Sequence, residues 1–148
     1  MNPSTSTVQI TSAQTDSEFD TVFKLRAEIL QKELQIPEEA DIDGFDHIAN
    51  HFLVYVDAKP VGTARWRMTL GRKIKLERFA VLPEFRAQGV GRLMLNHILG
   101  QVSDLGMEVF LEAHSDVVPF YERNGFVADG PSYNVSDIPH QRMVLPKG

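Results

Sequence analysis

The chain has 148 residues, 43% of them hydrophobic and 24% charged, with a formal charge of −5. This length suits one domain with a buried core, expected over 1–148, and the acidic balance disfavours nucleic acid as a partner. The absence of cysteine excludes disulfides, thiolate metal sites and a cysteine acyl-enzyme; no apolar run reaches the ~20 residues of a membrane span, and no basic-then-apolar leader opens the chain, so the expected location is cytoplasmic.

Residues 1–7 are rich in Ser and Thr and are expected to be loose at their start. Val8 and Ile10 alternate with polar neighbours, which predicts a short strand. Ser17 followed by Asp20 reads as a helix start, and Phe19, Val22, Phe23, Arg26, Ile29 and Leu30 recur at helical spacing. Pro37 interrupts that pattern. The acidic stretch from Glu38 to Asp46 reads as a loop or a broken short helix, and as a candidate rim for an amine. Phe52 to Val56 and Val61 to Thr69 read as strands joined by a turn at Asp57 to Pro60. After a second turn at Gly71 to Lys73, Ile74 to Val81 forms a third strand. Val90, Met94, Ile98 and Val102 then line one helix face, with Gly106 as its C-terminal cap. Glu108 to Ala113 reads as a strand. Val117, Phe120 and Tyr121 form a short helix closed by Gly125, and Phe126 to Ala128 and Arg142 to Leu145 are the last strands. A meander followed by strand–helix–strand units predicts a mixed α/β (α+β) sandwich.

The segment Arg86-Ala87-Gln88-Gly89-Val90-Gly91-Arg92 lies between a strand and a helix. Small residues there let a ligand approach the backbone, and the free N–H groups of a helix N-terminus attract phosphate. It is not a dinucleotide fingerprint, because Met94 stands where a third glycine is needed. Nor is it a P-loop, since Gly91 is followed by Arg92 and Leu93. A tight turn is the plain alternative.

The wider context resembles the GCN5-related N-acetyltransferase (GNAT) family. Arg86-Ala87-Gln88-Gly89-Val90-Gly91 matches the family signature Arg/Gln-x-x-Gly-x-Gly/Ala, and Val81-Leu82-Pro83 matches its usual approach. Phe120-Tyr121-Glu122-Arg123-Asn124-Gly125-Phe126 matches a second family block. Arg26 with Glu33, Ile36-Pro37-Glu38-Glu39, and Ile138-Pro139-His140 are similar to the bacterial ElaA/YjcF-like group. In place of that group's Leu/Val-Phe-Val, this chain has Ala27-Glu28-Ile29-Leu30.

The resemblance implies a mostly antiparallel sheet of six to seven strands, splayed at the fourth and fifth, and acyl transfer from acetyl-CoA to an amine, small molecule or peptide. Phe79, Ala80 and Val81 would pair with the pantetheine arm. Ala87, Gln88, Gly89, Val90 and Gly91 would cradle the pyrophosphate. Arg86 and Arg92 would add charge or remain surface arginines, and Phe120 would flank the coenzyme. Tyr121 is the candidate general acid, or an aromatic packing residue. Glu77 is the candidate base, sharing a strand face with Phe79 and Val81; alternatively it pairs with Arg65 or Arg67. His114 would relay a proton or cap the next helix. Arg26, Glu33 and His140 would bind the acceptor, with His140 on a loop before the last strand. His47 and His51 near Asp43 and Asp46 match no metal-ligand spacing, so no metal is expected. A homodimer follows from family habit. The alternatives are a non-catalytic acyl-CoA-binding module and a pure interaction domain.

Overall fold

Thr15, not Ser17, starts the first helix, α1 (Asp16–Arg26). In the computed structural model, which describes residues 7–147, the Thr15 hydroxyl accepts from the Glu18 N–H and the Glu18 carboxylate accepts from the Thr15 N–H. This capping box satisfies two donors that the helix itself cannot. Most of the Ser/Thr-rich segment expected to be loose, residues 1–6, lies outside the described residues. α1 continues without a break into a π-helical stretch, Ala27–Glu33. Its wide turn closes where Leu34 and Ile36 donate to the carbonyls of Ile29 and Leu30. Pro37 then begins a second short helix, α2 (Glu38–Asp41).

Among the described residues eight strands form one sheet, one more than the upper expectation. They are β1 (Val8–Ser12), β2 (Asn50–Val56), β3 (Lys59–Met68), β4 (Ile74–Val81), β5 (Val109–His114), β6 (Val127–Ala128), β7 (Tyr133–Val135) and β8 (Ile138–Val144). Their order is β1-β2-β3-β4-β5-β8-β6, with β7 beside β6 along the free side of β8. β4 and β5 are parallel, joined through α3 (Val90–Val102), and every other pair is antiparallel. The β4–β5 ladder holds only from Ile74–Leu76 to Val109–Leu111. Beyond it the strands part, and the short helix α4 (Val118–Arg123) follows β5.

The last strand begins at Ile138, four residues before the expected Arg142. Ser136 and Asp137 both have positive φ, 50° and 65°, which makes a two-residue hairpin turn without glycine. His140 is therefore a strand residue rather than a loop residue.

Side-chain alternation along β2 and β3 assigns the faces. Phe52 packs on His97 of α3, whereas its neighbour His51 packs on Phe19 of α1. Trp66 reaches Gln101 of α3, and Arg65 points the other way, toward Asp43 and Asp46. α1 and α3 thus cover opposite faces, burying Val22, Leu25 and Ile29 on one and Met94, Leu95 and Ile98 on the other. Among the described residues no helix is long and apolar enough to cross a membrane.

Candidate active site

α3 begins very differently from α1. It has no side-chain cap and no acidic residue in its first turn, where Arg92 sits instead. A cation there opposes the helix dipole and weakens the isolated helix. Gly89, the residue before α3, takes φ 88°, and Ala87 takes φ 60°. Among the described residues, the N–H groups of Ala87, Gln88, Gly89, Val90, Gly91 and Arg92 donate to no protein acceptor. The loop therefore presents a row of unsatisfied donors, which suits an anion. Gly91 has a second reason to lack a side chain: a Cβ would lie 3.3 Å from Cζ of Phe120. The Val90 side chain is buried, so it offers the site its backbone alone. Beside the loop, Arg92, Phe120, Arg123 and Asn124 line an open recess of about 540 Å³.

Where β4 and β5 part, a cavity of about 270 Å³ opens between them. It contacts Leu30 and Ile36 on the α1 face, and Phe79 and Tyr121 on the side of α3 and α4, so it passes through the plane of the sheet. Tyr121 is 7% exposed and sits edge-on to Phe79, Phe120 and Phe126, at centroid distances of 6.1, 5.0 and 5.8 Å. Its hydroxyl has no hydrogen-bond partner among the described residues. Burial raises its pKa well above the ordinary phenol value of 10, so the O–H stays intact at neutral pH.

His114 and His140 also line the cavity, facing each other across the β5–β8 ladder with rings 5.3 Å apart. Tyr133 stacks on His140. His140 Nδ1 lies 2.8 Å from the Ile138 carbonyl, which can only accept, so Nδ1 carries a proton. In the neutral ring Nε2 is then the acceptor.

Residues 26–147 match the Acetyltransferase (GNAT) domain family. The chain belongs to the GNAT acetyltransferase family. It is 35% identical over 134 residues to the uncharacterized N-acetyltransferase YjcF of Bacillus subtilis, covering 89% of this chain and 95% of that relative. The fold is similar to that of Escherichia coli ElaA, with TM-score 0.83 at 22% identity over 95% of this chain and 99% of that one. It is similar also to an acyl-CoA N-acyltransferase of Pseudomonas aeruginosa, with TM-score 0.81 at 23% identity over 96% and 100%.

The GNAT splay has a bulge beside it that overturns one expectation. Arg65 faces Glu77 in the ladder and Thr63 faces Ala80, so three steps of β4 match two of β3. Arg78 takes up the extra step at φ 59°. Ladder partners share a face, so Glu77 and Ala80 point toward α1 while Phe79 and Val81 point toward α3. Glu77 does not share a face with Phe79 and Val81. It lies 2.8 Å from Nε of Arg65, 3.1 Å from Nε of Arg67 and 3.0 Å from Nζ of Lys75. Burial alone would raise its pKa, but those three cations hold it below the usual carboxylate value. The cross-strand pairing with Arg65 and Arg67 is the one observed.

Arg26 is likewise held inside the protein. It is 1% exposed, its Nε donates to the Asp41 carboxylate, Nη1 to Asp46 and Nη2 to the Asp41 carbonyl. In the acidic stretch read as a rim for an amine, Asp41, Asp43 and Asp46 fold inward and neutralise Arg26, Arg65 and Arg78. Among the described residues no three acidic or histidine side chains converge as a metal site. Glu33 pairs with Arg86, so these two candidates, one for the acceptor and one for the coenzyme, occupy each other.

Three contributions escaped the sequence reading. Leu34 and Ile36 roof the cavity from beyond the π-helical stretch. Arg78 ties the bulge to the carbonyls of Ala40 and Asp41. Arg123 stands beside Arg92; its place inside the Phe-Tyr-x-x-x-Gly-Phe block was the available signal.

Proposed function

We propose that the protein transfers an acetyl group from acetyl-CoA to a small amine by direct attack in a ternary complex. The observation that carries this reading is the slot between β4 and β5, which holds a phenol and two imidazoles and opens near a row of free backbone N–H groups. The donors of Ala87 to Arg92 take the pyrophosphate, and Arg92 and Arg123 add charge for the other phosphate. The unpaired edge of β4 at Phe79, Ala80 and Val81 takes the pantetheine amides, as a missing strand would.

The acceptor enters as an ammonium and must lose a proton before its lone pair can attack. Nε2 of His140 receives that proton, with its tautomer held by Ile138 and its ring by Tyr133. The amine nitrogen then bonds to the acetyl carbon and the carbon–sulfur bond breaks. The Tyr121 hydroxyl donates to the sulfur as negative charge collects there. The nitrogen's second proton ends on the thiol, giving the amide and free CoA. His114 steadies His140 from the neighbouring strand. Glu77 anchors Arg65, Arg67 and Lys75 and stays outside proton transfer.

Thermal shift with acetyl-CoA and thiol release with an amine panel test this reading. A ligand at a hundredfold its Kd stabilises by ~2.7 kcal/mol. Stabilisation with amine-dependent thiol release is the expected result. Stabilisation without release leaves an acyl-CoA-binding module, and no stabilisation removes the coenzyme altogether.

A further inference from the structure

The cavity's walls carry an inference about the acceptor, which rests on the acyl-transfer reading above. Its charged lining comprises Asp41, Glu77, Arg78, Glu112 and Asp116. Three of these are already engaged. Asp41 is held by Arg26 and Gln31, Glu77 by Arg65, Arg67 and Lys75, and Arg78 by Asp41, Asp43 and the Ala40 carbonyl. The other two carboxylates remain partly open to a ligand, although Glu112 also pairs with Lys75. Glu112 has its side chain 41% exposed, with Lys75 at 3.1 Å, and Asp116 is 89% exposed, with His114 at 3.9 Å. The lining therefore offers an incoming molecule negative charge and no free guanidinium or ammonium.

The remaining wall is apolar. Leu30, Leu34 and Ile36 close the α1 side, and Leu111, Phe79 and Val117 continue it. Leu34 and Val117, both in the cavity lining, are each 43% exposed overall, which leaves apolar surface for a ligand to cover. At about 270 Å³ the space falls just short of the range that holds drug-sized ligands.

We infer that the acceptor is a small primary monoamine on an apolar body, lacking a carboxylate. Its ammonium enters past Asp116 and Glu112, and its hydrocarbon part lies against Leu30, Leu34 and Ile36. A free amino acid brings a carboxylate that finds no open cation. A diamine brings a second charge to an apolar wall with no partner for it.

The test is thiol release from acetyl-CoA by the intact chain with matched acceptors. 2-Phenylethylamine should exceed phenylalanine in kcat/KM by on the order of 100-fold, since the two differ only by the carboxylate. From ethylamine to hexylamine kcat/KM should rise by about fourfold per methylene until the space is filled. Hexylamine should exceed 1,6-diaminohexane. Leu34→Asn, at a half-exposed position, should flatten the chain-length series while leaving acetyl-CoA binding unchanged. Preference for phenylalanine or the diamine, or a flat series in the unaltered protein, overturns this inference alone. Coenzyme binding with no release by any amine overturns the acyl-transfer reading and this inference with it.

Discussion

Glu33 and Arg86 form a two-pronged pair, with Nη1 2.5 Å and Nη2 2.6 Å from the two carboxylate oxygens. It joins the end of the π-helical stretch to the start of the glycine loop, so the cavity roof and the loop share one contact. Hydrogen bonding to Arg86 holds the Glu33 carboxyl below its ordinary pKa. Both side chains are more than a third exposed, so the pair contributes little to folding. If Arg86 serves the proposed coenzyme site, the phosphates compete with Glu33 for the same guanidinium. Glu33→Gln should leave thermal stability unaltered and tighten acetyl-CoA binding by up to about fivefold. Weaker binding in that variant would show that Glu33 organises the loop rather than competing with the ligand. Isothermal titration measures either outcome.

Glu77 is expected to matter for folding. Its side chain is 4% exposed beside Arg65, which is fully buried. Breaking a buried ion pair by removing one partner costs about 3–5 kcal/mol, because the remaining charge is left uncompensated. Glu77→Gln should lose stability on that scale in urea unfolding, with residual activity in the fraction that stays folded. Full stability combined with no activity in the Glu77→Gln variant would restore Glu77 as the base.

Acid should unfold the protein through the same network. Burial pushes the Asp43 pKa up, but hydrogen bonds from Arg65 and the Phe45 N–H, with the charges of Arg65 and Arg78, hold it at about 2 instead of 3.8. A carboxylate with a depressed folded pKa binds fewer protons folded than unfolded. Its stabilisation is complete above 3.8 and is lost as pH falls from there toward about 2. Asp43→Asn should flatten the stability–pH profile in that window and lower stability at neutral pH.

The glycine loop was legible because its information is local. A strand, a proline, two glycines and an amphipathic helix follow in order, and the backbone donors depend on nothing further away. Glu77 was not legible in the same way. Its face depends on the positive φ of Arg78, which is held by carbonyls of Ala40 and Asp41, nearly forty residues away in sequence. Strand alternation counted along β4 passes over that bulge and reverses every side chain beyond it. Arg26 misled for a related reason. Its helical spacing correctly marked it as inward-facing, but the carboxylates that neutralise it come from Asp41 and Asp46, in a segment read as a rim for an amine. His140 was shifted from loop to strand by a turn of Ser136 and Asp137, which lacks the glycine that usually announces such a hairpin.

Tyr121 gives the sharpest test of the chemistry. Its hydroxyl lines the cavity without a protein partner, so Tyr121→Phe removes an O–H and strands no other polar group. The ring contacts with Phe79, Phe120 and Phe126 survive in the variant, and so should stability. Acetyl-CoA binding should be unchanged if the loop backbone and the β4 edge hold the coenzyme as proposed. If the hydroxyl donates to the leaving sulfur, kcat should fall by about 10²–10⁴-fold. The pH profile adds an independent check. Burial raises the phenol above its ordinary 10, so kcat in the unaltered protein should show no falling limb from phenol ionisation up to that pH. A rising limb below it would report deprotonation of the amine, and should persist in the phenylalanine variant at reduced height. Unchanged kcat in Tyr121→Phe would instead assign Tyr121 to packing alone and leave the thiolate to depart unaided.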